Sequence, residues 1–159
     1  MTKSPTDSVS LNADFLDMIE ALQGAGARFL VVGAHAMAAH GVPRATGDFD
    51  IFVESSADNA RRIRAALIEF GAPLQSHGIT EEDFQAPGLV YQIGLPPRRI
   101  DLITSIDALD FEEAWIGRIE IDLLGVKVPV IGRAELIKNK LATGREKDRV
   151  DVRLLQAQI

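Results

Sequence analysis

The hexapeptide DFDIFV, residues 48–53, constrains this chain more than any other stretch. Its aromatic and β-branched residues favour a strand. Asp48 and Asp50, two positions apart, then project from the same face of it. Two like charges beside Phe49, Ile51 and Phe52 repel each other and resist burial unless something cationic neutralises them. Asp101, in RRIDLIT (98–104), repeats the problem between Ile100 and Leu102. If that strand lies beside 48–53, three carboxylates meet on one patch. Asp48 and Asp50 are then roughly 6.5–7 Å apart along the backbone, within rotamer reach of a shared cation. A single acid in a strand is commonly a harmless edge residue. Three at strand centres predict a metal, and hard oxygen ligands suit Mg²⁺ or Mn²⁺.

The rest of the chain reads as alternating helices and short strands. Leu11, Phe15, Met18 or Ile19, and Leu22 recur at helical spacing before Gly24 and Gly26. RFLVV (28–32) is a buried strand, and the Ala-rich segment 34–41 is a helix closed by Gly41 and Pro43. Residues 56–71 form a helix capped by Ser56 and ended by Gly71, with Ile63, Leu67 and Phe70 on one stripe and its arginines opposite. A loop containing Pro73, Gly78, Pro87 and Gly88 follows, long enough to be functional or mobile. Strands at 89–95 and 98–104 flank Pro96-Pro97. A short helix near 111–115, a hairpin over 118–132 turning at Leu124-Gly125, and helices at 133–142 and 145–157 complete the pattern. The expected architecture is α/β, a small mixed sheet flanked by helices. One domain spans 11–159, after a disordered lead over 1–10.

Composition narrows the function. The chain has 159 residues and no cysteine. That excludes disulfides, thiolate catalysis and cysteine-ligated zinc. No apolar run is long enough for a bilayer and the N-terminus lacks a signal-type apolar core, so a cytoplasmic protein is expected. The formal charge of −6 argues against a surface coated with basic residues for nucleic acid. From Lys127 onward, however, lysines and arginines outnumber acids, and an anion can be held there.

Upstream of the acids, VVGAHA places a glycine turn between strand and helix. Gly33 lets an anion approach the backbone, and the N–H groups of the first helical turn face it. Arg44 and Thr46 precede the acidic strand, either as turn formers or as an anion clamp. His35 and His40 are five apart and do not share a helix face, so they make no zinc pair; His35 is either a nucleotide contact or packing. His77 has no partner legible in the sequence. Arg98 and Arg99 read as solvated residues at a strand start, or as cations that steer an acceptor nucleic acid. Trp115 and Tyr91 read as core or rim. Arg145–Asp148 and Lys147–Asp151 have the spacing of surface ion pairs on a helix.

These motifs together resemble the nucleotidyltransferase superfamily of the DNA polymerase β type. The matching residues are Val32-Gly33-Ala34, then Asp48-Phe49-Asp50-Ile51, then Ile100-Asp101-Leu102. GVPRATGDFDI is similar to the minimal, AbiEii-like toxin branch, and NKLATGREKDRVDVRLL to that branch's C-terminal lysine, arginine and aspartate. Lys140, Arg145 and Asp148 fall on those positions, with Asp151 beside them. The resemblance implies a nucleotidyltransferase fold whose metal site lies on the sheet edge carrying Asp48, Asp50 and Asp101. It implies Mg²⁺-dependent transfer of NMP from an NTP to an acceptor hydroxyl of RNA, protein or a small molecule, with release of pyrophosphate. Asp48, Asp50 and Asp101 would hold the metal, and Lys140 would complete the catalytic set. Gly33, Ala34, Arg44, Thr46, Arg145 and Asp148 would bind the nucleotide. An antitoxin partner is a further implication. Ala34 departs from the Gly or Ser usual after the first glycine, which removes one hydroxyl. Two other readings remain: a nucleotide-binding module of the same fold without catalysis, and a glycosyltransferase using its DxD for a sugar nucleotide.

Overall fold

The structure, a computed structural model, describes residues 12–158. The lead expected over 1–10, Leu11 and Ile159 lie outside the described residues. Helix α1 (Ala13–Gly24) starts where the Asn12 side chain accepts the Phe15 N–H at 3.1 Å, and it buries Phe15, Met18, Ile19 and Leu22. Strand β1 (Phe29–Val32) is buried throughout and runs directly into α2 (Gly33–Ala39). Strand β2 (Asp48–Val53) is the expected DFDIFV segment, and α3 (Ala57–Phe70) runs from the Ser56 cap to a left-handed Gly71. The arginines of α3 are exposed while Ile63 and Leu67 are buried.

The expected loop after α3 is instead a packed segment. It contains a short helix, α4 (Leu74–His77), and a 3₁₀ turn (Glu81–Gln85) that lies against α3. Phe84 is buried, and His77 Nδ1 lies 2.8 Å from the Tyr91 hydroxyl. The glycines and prolines there mark reversals within a folded stretch, anchored by aromatic burial that the turn chemistry does not reveal.

Strands β3 (Val90–Ile93) and β4 (Arg99–Ile103) follow, then α5 (Phe111–Ile116) and the β5 (Ile119–Leu123) and β6 (Val126–Val130) hairpin. Helices α6 (Arg133–Thr143) and α7 (Glu146–Ala157) meet at a left-handed Gly144. The sheet order is β3-β4-β2-β1-β6-β5. β2 pairs parallel with β4 and antiparallel with β1; β1 pairs parallel with β6. The acidic strands are therefore interior, not at the sheet edge as expected. β3 covers β4 on one side, and β1 covers β2 on the other.

Alternation along β2 divides its two faces. Phe49 points toward α1, where its ring stacks on Phe15 with centroids 4.8 Å apart. Asp48, Asp50 and Phe52 take the opposite face, where Phe52 meets Phe111 edge-on at 5.1 Å. Helices α6 and α7 lie on the acidic side, and their Leu136, Lys140 and Asp148 line a recess with Asp50.

Candidate metal centre

The parallel pairing of β2 and β4 sets Asp48 opposite Arg99 and Asp50 opposite Asp101. The carboxylates of Asp48, Asp50 and Asp101 converge so that one oxygen from each lies within 4.8 Å of the others. Asp101 is buried; Asp48 and Asp50 are half-buried. Three acids on adjacent strands form the expected patch.

Part of the neutralising charge comes from within the chain. Arg99 Nη2 donates to Asp48 Oδ2 at 2.8 Å and to Asp101 Oδ2 at 3.3 Å, while its Nε donates to Asp101 Oδ1 at 3.0 Å. Arg99 is thus an internal partner of the acids, a role that neither a solvated strand start nor the steering of a nucleic acid anticipates. The signal was available: Arg99 stands two residues before Asp101, and therefore on its face. One guanidinium cannot balance three carboxylates. Burial first, then the charges of Asp101 and Asp48 and a hydrogen bond with Asp101, push the Asp50 pKa from 3.8 to about 7, against the pull of Arg99. With no further cation, Asp50 titrates around neutral pH. An all-oxygen donor set whose three carboxylates face a single guanidinium suits a divalent ion such as Mg²⁺ or Mn²⁺.

Gly33 belongs to the same construction. It has φ +69°, and a β-carbon there would overlap the Asp50 carboxylate. The glycine that begins α2 is thus required both by the left-handed turn and by the acid packed against it. Ala34 follows in the first turn of α2.

On the Asp50 side, Gly33, Lys140, Thr143, Arg145 and Asp148 surround a recess of about 170 Å³. Asp148 is fully buried at the start of α7. It accepts from Thr143 Oγ1 at 2.7 Å, from Arg145 Nε at 2.8 Å and from the Arg145 N–H at 3.2 Å. Burial alone would raise its pKa, but these donors hold it well below the usual carboxylate range. Lys140 Nζ lies 3.0 Å from Asp151 and 3.7 Å from Asp148. Its burial lowers the ammonium pKa against the pull of Asp148.

On the Phe49 side of β2, Ala34, His35, Thr46, Phe15, Pro43 and Pro97 are among the walls of a cleft of about 450 Å³. Arg44 borders it, but its guanidinium pairs with Asp151 of α7. Asp151 also receives Lys140, so the expected Lys147–Asp151 pair is not formed among the described residues. The Thr46 hydroxyl is 3.1 Å from both the backbone N and O of Asp48 and shapes the turn into β2. His35 sits edge-on between Phe15 and Phe49; burial lowers its pKa against the pull of Asp48. His40 lies 2.8 Å from the Ile131 carbonyl, as a packing residue would. Another cleft, about 630 Å³ between α1 and α3, is lined by Asp17, Glu20 and Glu69 without a cation and lies away from the triad.

No protein-family model matches the chain, and no curated protein does. Among solved structures, the chain is similar to a candidate nucleotidyltransferase from Thermotoga maritima, with a TM-score of 0.60 and 14% identity. The match covers 94% of this chain and 97% of the other. The two chains share one fold. A mixed six-stranded sheet flanked by helices is therefore the nucleotidyltransferase-like fold expected from the motifs. In it, the acidic triad spans the two interior strands β2 and β4. No helix among the described residues is long and apolar enough to cross a membrane.

Proposed function

We propose that the chain is a divalent-metal-dependent nucleotidyltransferase that moves NMP from an NTP to an acceptor hydroxyl and releases pyrophosphate. The observation that carries the reading is the convergence of Asp48, Asp50 and Asp101 on paired strands beside the Gly33 turn, with a single guanidinium to balance them. The fold shared with a candidate nucleotidyltransferase supports it.

Asp48, Asp50 and Asp101 would hold the metal. When bound, such an ion polarises the α-phosphate and offsets charge developing on its oxygens. The chain supplies the rest by position and electrostatics. The recess formed by Gly33, Lys140 and Arg145 takes the β- and γ-phosphates, with Lys140 and Arg145 countering the charge of the departing pyrophosphate. Asp148 keeps both cations in place through its ion pairs. The carboxylate of Asp101 accepts the acceptor hydroxyl's proton as its oxygen attacks phosphorus and the α–β bridging bond breaks. The cleft walled by Phe15, Ala34, Pro43 and Pro97 reaches the turn into β2 through Thr46 and has room for a base or an acceptor.

The GVPRATGDFDI stretch supports a place in the minimal toxin-like branch, with an antitoxin partner and an RNA, protein or small-molecule acceptor. The engagement of Asp48 and Asp101 by Arg99, together with Ala34, favours one second reading: a nucleotide-binding module without turnover.

Calorimetric titration of ATP, GTP, CTP and UTP, with and without Mg²⁺, into wild type and Asp50→Asn tests the binding. We expect one triphosphate to bind only with metal, and the substitution to abolish that binding. Absence of binding in every condition would sink the proposal. Pyrophosphate release in an acceptor screen then separates enzyme from module.

A further inference from the structure

The guanidinium of Arg99 engages three of the six carboxylate oxygens that a metal could use. Its Nε and Nη2 engage both oxygens of Asp101, and Nη2 also takes Asp48 Oδ2. A small hard cation binds carboxylate oxygen at about 2.0–2.1 Å and demands near-octahedral geometry. A guanidinium in a bidentate fork on the most buried of the three acids takes up part of that acid's lone-pair capacity. Its charge would also repel a divalent ion a few ångströms away. Arg99 reaches solvent as well as the acids. Its side chain is 26% exposed, and it lies at the first position of β4. The side chain can therefore swing to solvent without disturbing the sheet.

We propose that Arg99 is an internal counter-cation that competes with the divalent ion, so that metal enters the triad only when the guanidinium is released. The inference rests on the metal-dependent reading above. In the free protein Arg99 bridges Asp48 and Asp101 and keeps them converged. Its release exposes the ligands and returns a mobile positive charge to the mouth of the site. The free chain consequently holds divalent ions weakly, and removing Arg99 tightens them. Arg98 supplies the control: it is the adjacent residue, it carries the same charge, and it pairs with Asp14 instead.

The test is calorimetric titration of Mn²⁺, without nucleotide, into wild type, Arg99→Gln, Arg99→Lys and Arg98→Gln. In parallel, the Arg99 Nε–H resonance of wild type is followed by NMR during Mg²⁺ titration. Removing a unit charge in contact with two ligands should tighten Mn²⁺ by about tenfold or more. Arg99→Lys should fall between Arg99→Gln and wild type, and Arg98→Gln should match wild type. The Arg99 Nε–H signal should shift or lose protection as Mg²⁺ saturates the wild-type site. An Arg99→Gln affinity no tighter than wild type, or an unchanged Nε–H signal at saturation, overturns the proposal while leaving the metal reading standing. If no form binds either ion, the metal reading falls and the role of Arg99 falls with it. The wild-type resonance decides the question even if the Arg99 variants fold poorly.

Discussion

Asp50 sets the terms of stability at the scale of one residue. Its folded pKa of about 7 lies above its ordinary value of 3.8. Between those values the native state binds more protons than the unfolded chain, so metal-free stability falls as pH rises through that window and levels off above it. Asp50→Asn keeps the size of the side chain and removes the titration. In EDTA, the variant should melt at a higher temperature than wild type at pH 8, with the gap closing toward pH 4.5. Mg²⁺ should do the reverse: its stabilisation of wild type should be larger at pH 8 than at pH 5.5, and absent in the variant. Thermal unfolding followed by circular dichroism checks both. A flat wild-type profile in EDTA would contradict the account of the Asp50 environment. The residue thus opposes stability in the free protein and is expected to be needed for ligand binding, a trade common at functional sites.

Asn59, buried in the first turn of α3, shows how one side chain joins separate elements. Its Oδ1 accepts the Arg28 N–H at 2.7 Å, and its Nδ2 donates to the carbonyls of Arg28 at 3.0 Å and Glu54 at 2.8 Å. The entry to β1, the exit of β2 and the start of α3 are tied through it. Asn59→Ala leaves those backbone groups without their partner, and should cost about 2–3 kcal/mol in urea unfolding, at the upper end for a buried group left unsatisfied. Asn59→Asp keeps the acceptor but loses the donor and should recover little. The sequence could not show this. Asn59 reads as one more polar residue near a helix start, and its partners are defined only by where β1 and β2 finish. The strands, the caps at Ser56 and Gly71, and the hairpin turn at Leu124-Gly125 were legible because each follows local propensity or periodicity. The three aspartates were legible because charge inside an apolar strand is costly and needs a reason. The Asp101 half of the Arg99 bridge was legible from spacing along β4, but the Asp48 half depended on strand register, and the Arg44–Asp151 pair on tertiary packing. The interior position of the acidic strands was likewise missed, since strand order is a property of the assembled sheet.

At the scale of the whole molecule, the candidate site is closed by contacts between distant halves. Arg44, from the turn before β2, pairs with Asp151 of α7, 107 residues later. Lys140 reaches the same carboxylate from α6. Asp151 is well buried and serves two cations, whereas Arg44 is partly solvated. Asp151→Ala should therefore cost about 2–4 kcal/mol, because Lys140 is left half-buried without it. Arg44→Ala should cost no more than about 1 kcal/mol, as exposed pairs do. A double-mutant cycle by urea unfolding, with unchanged slopes, checks the difference. Equal costs would mean that Asp151 acts mainly through Arg44.

The position of β1 in the sheet carries a consequence for how the chain is made. Its antiparallel neighbour β2 is only a short distance along the sequence, but its parallel neighbour β6 pairs Val31 with Val130. At about 5–20 residues per second, a ribosome needs on the order of 5–20 s to synthesise the intervening hundred residues. Throughout that interval, one side of an entirely apolar strand has no native hydrogen-bonding partner. Newly made chains are therefore exposed to strand-on-strand aggregation for seconds before their own hairpin can protect them. Slower translation after β2 would lengthen the hazard, and a chaperone that binds extended apolar segments would be most useful during it.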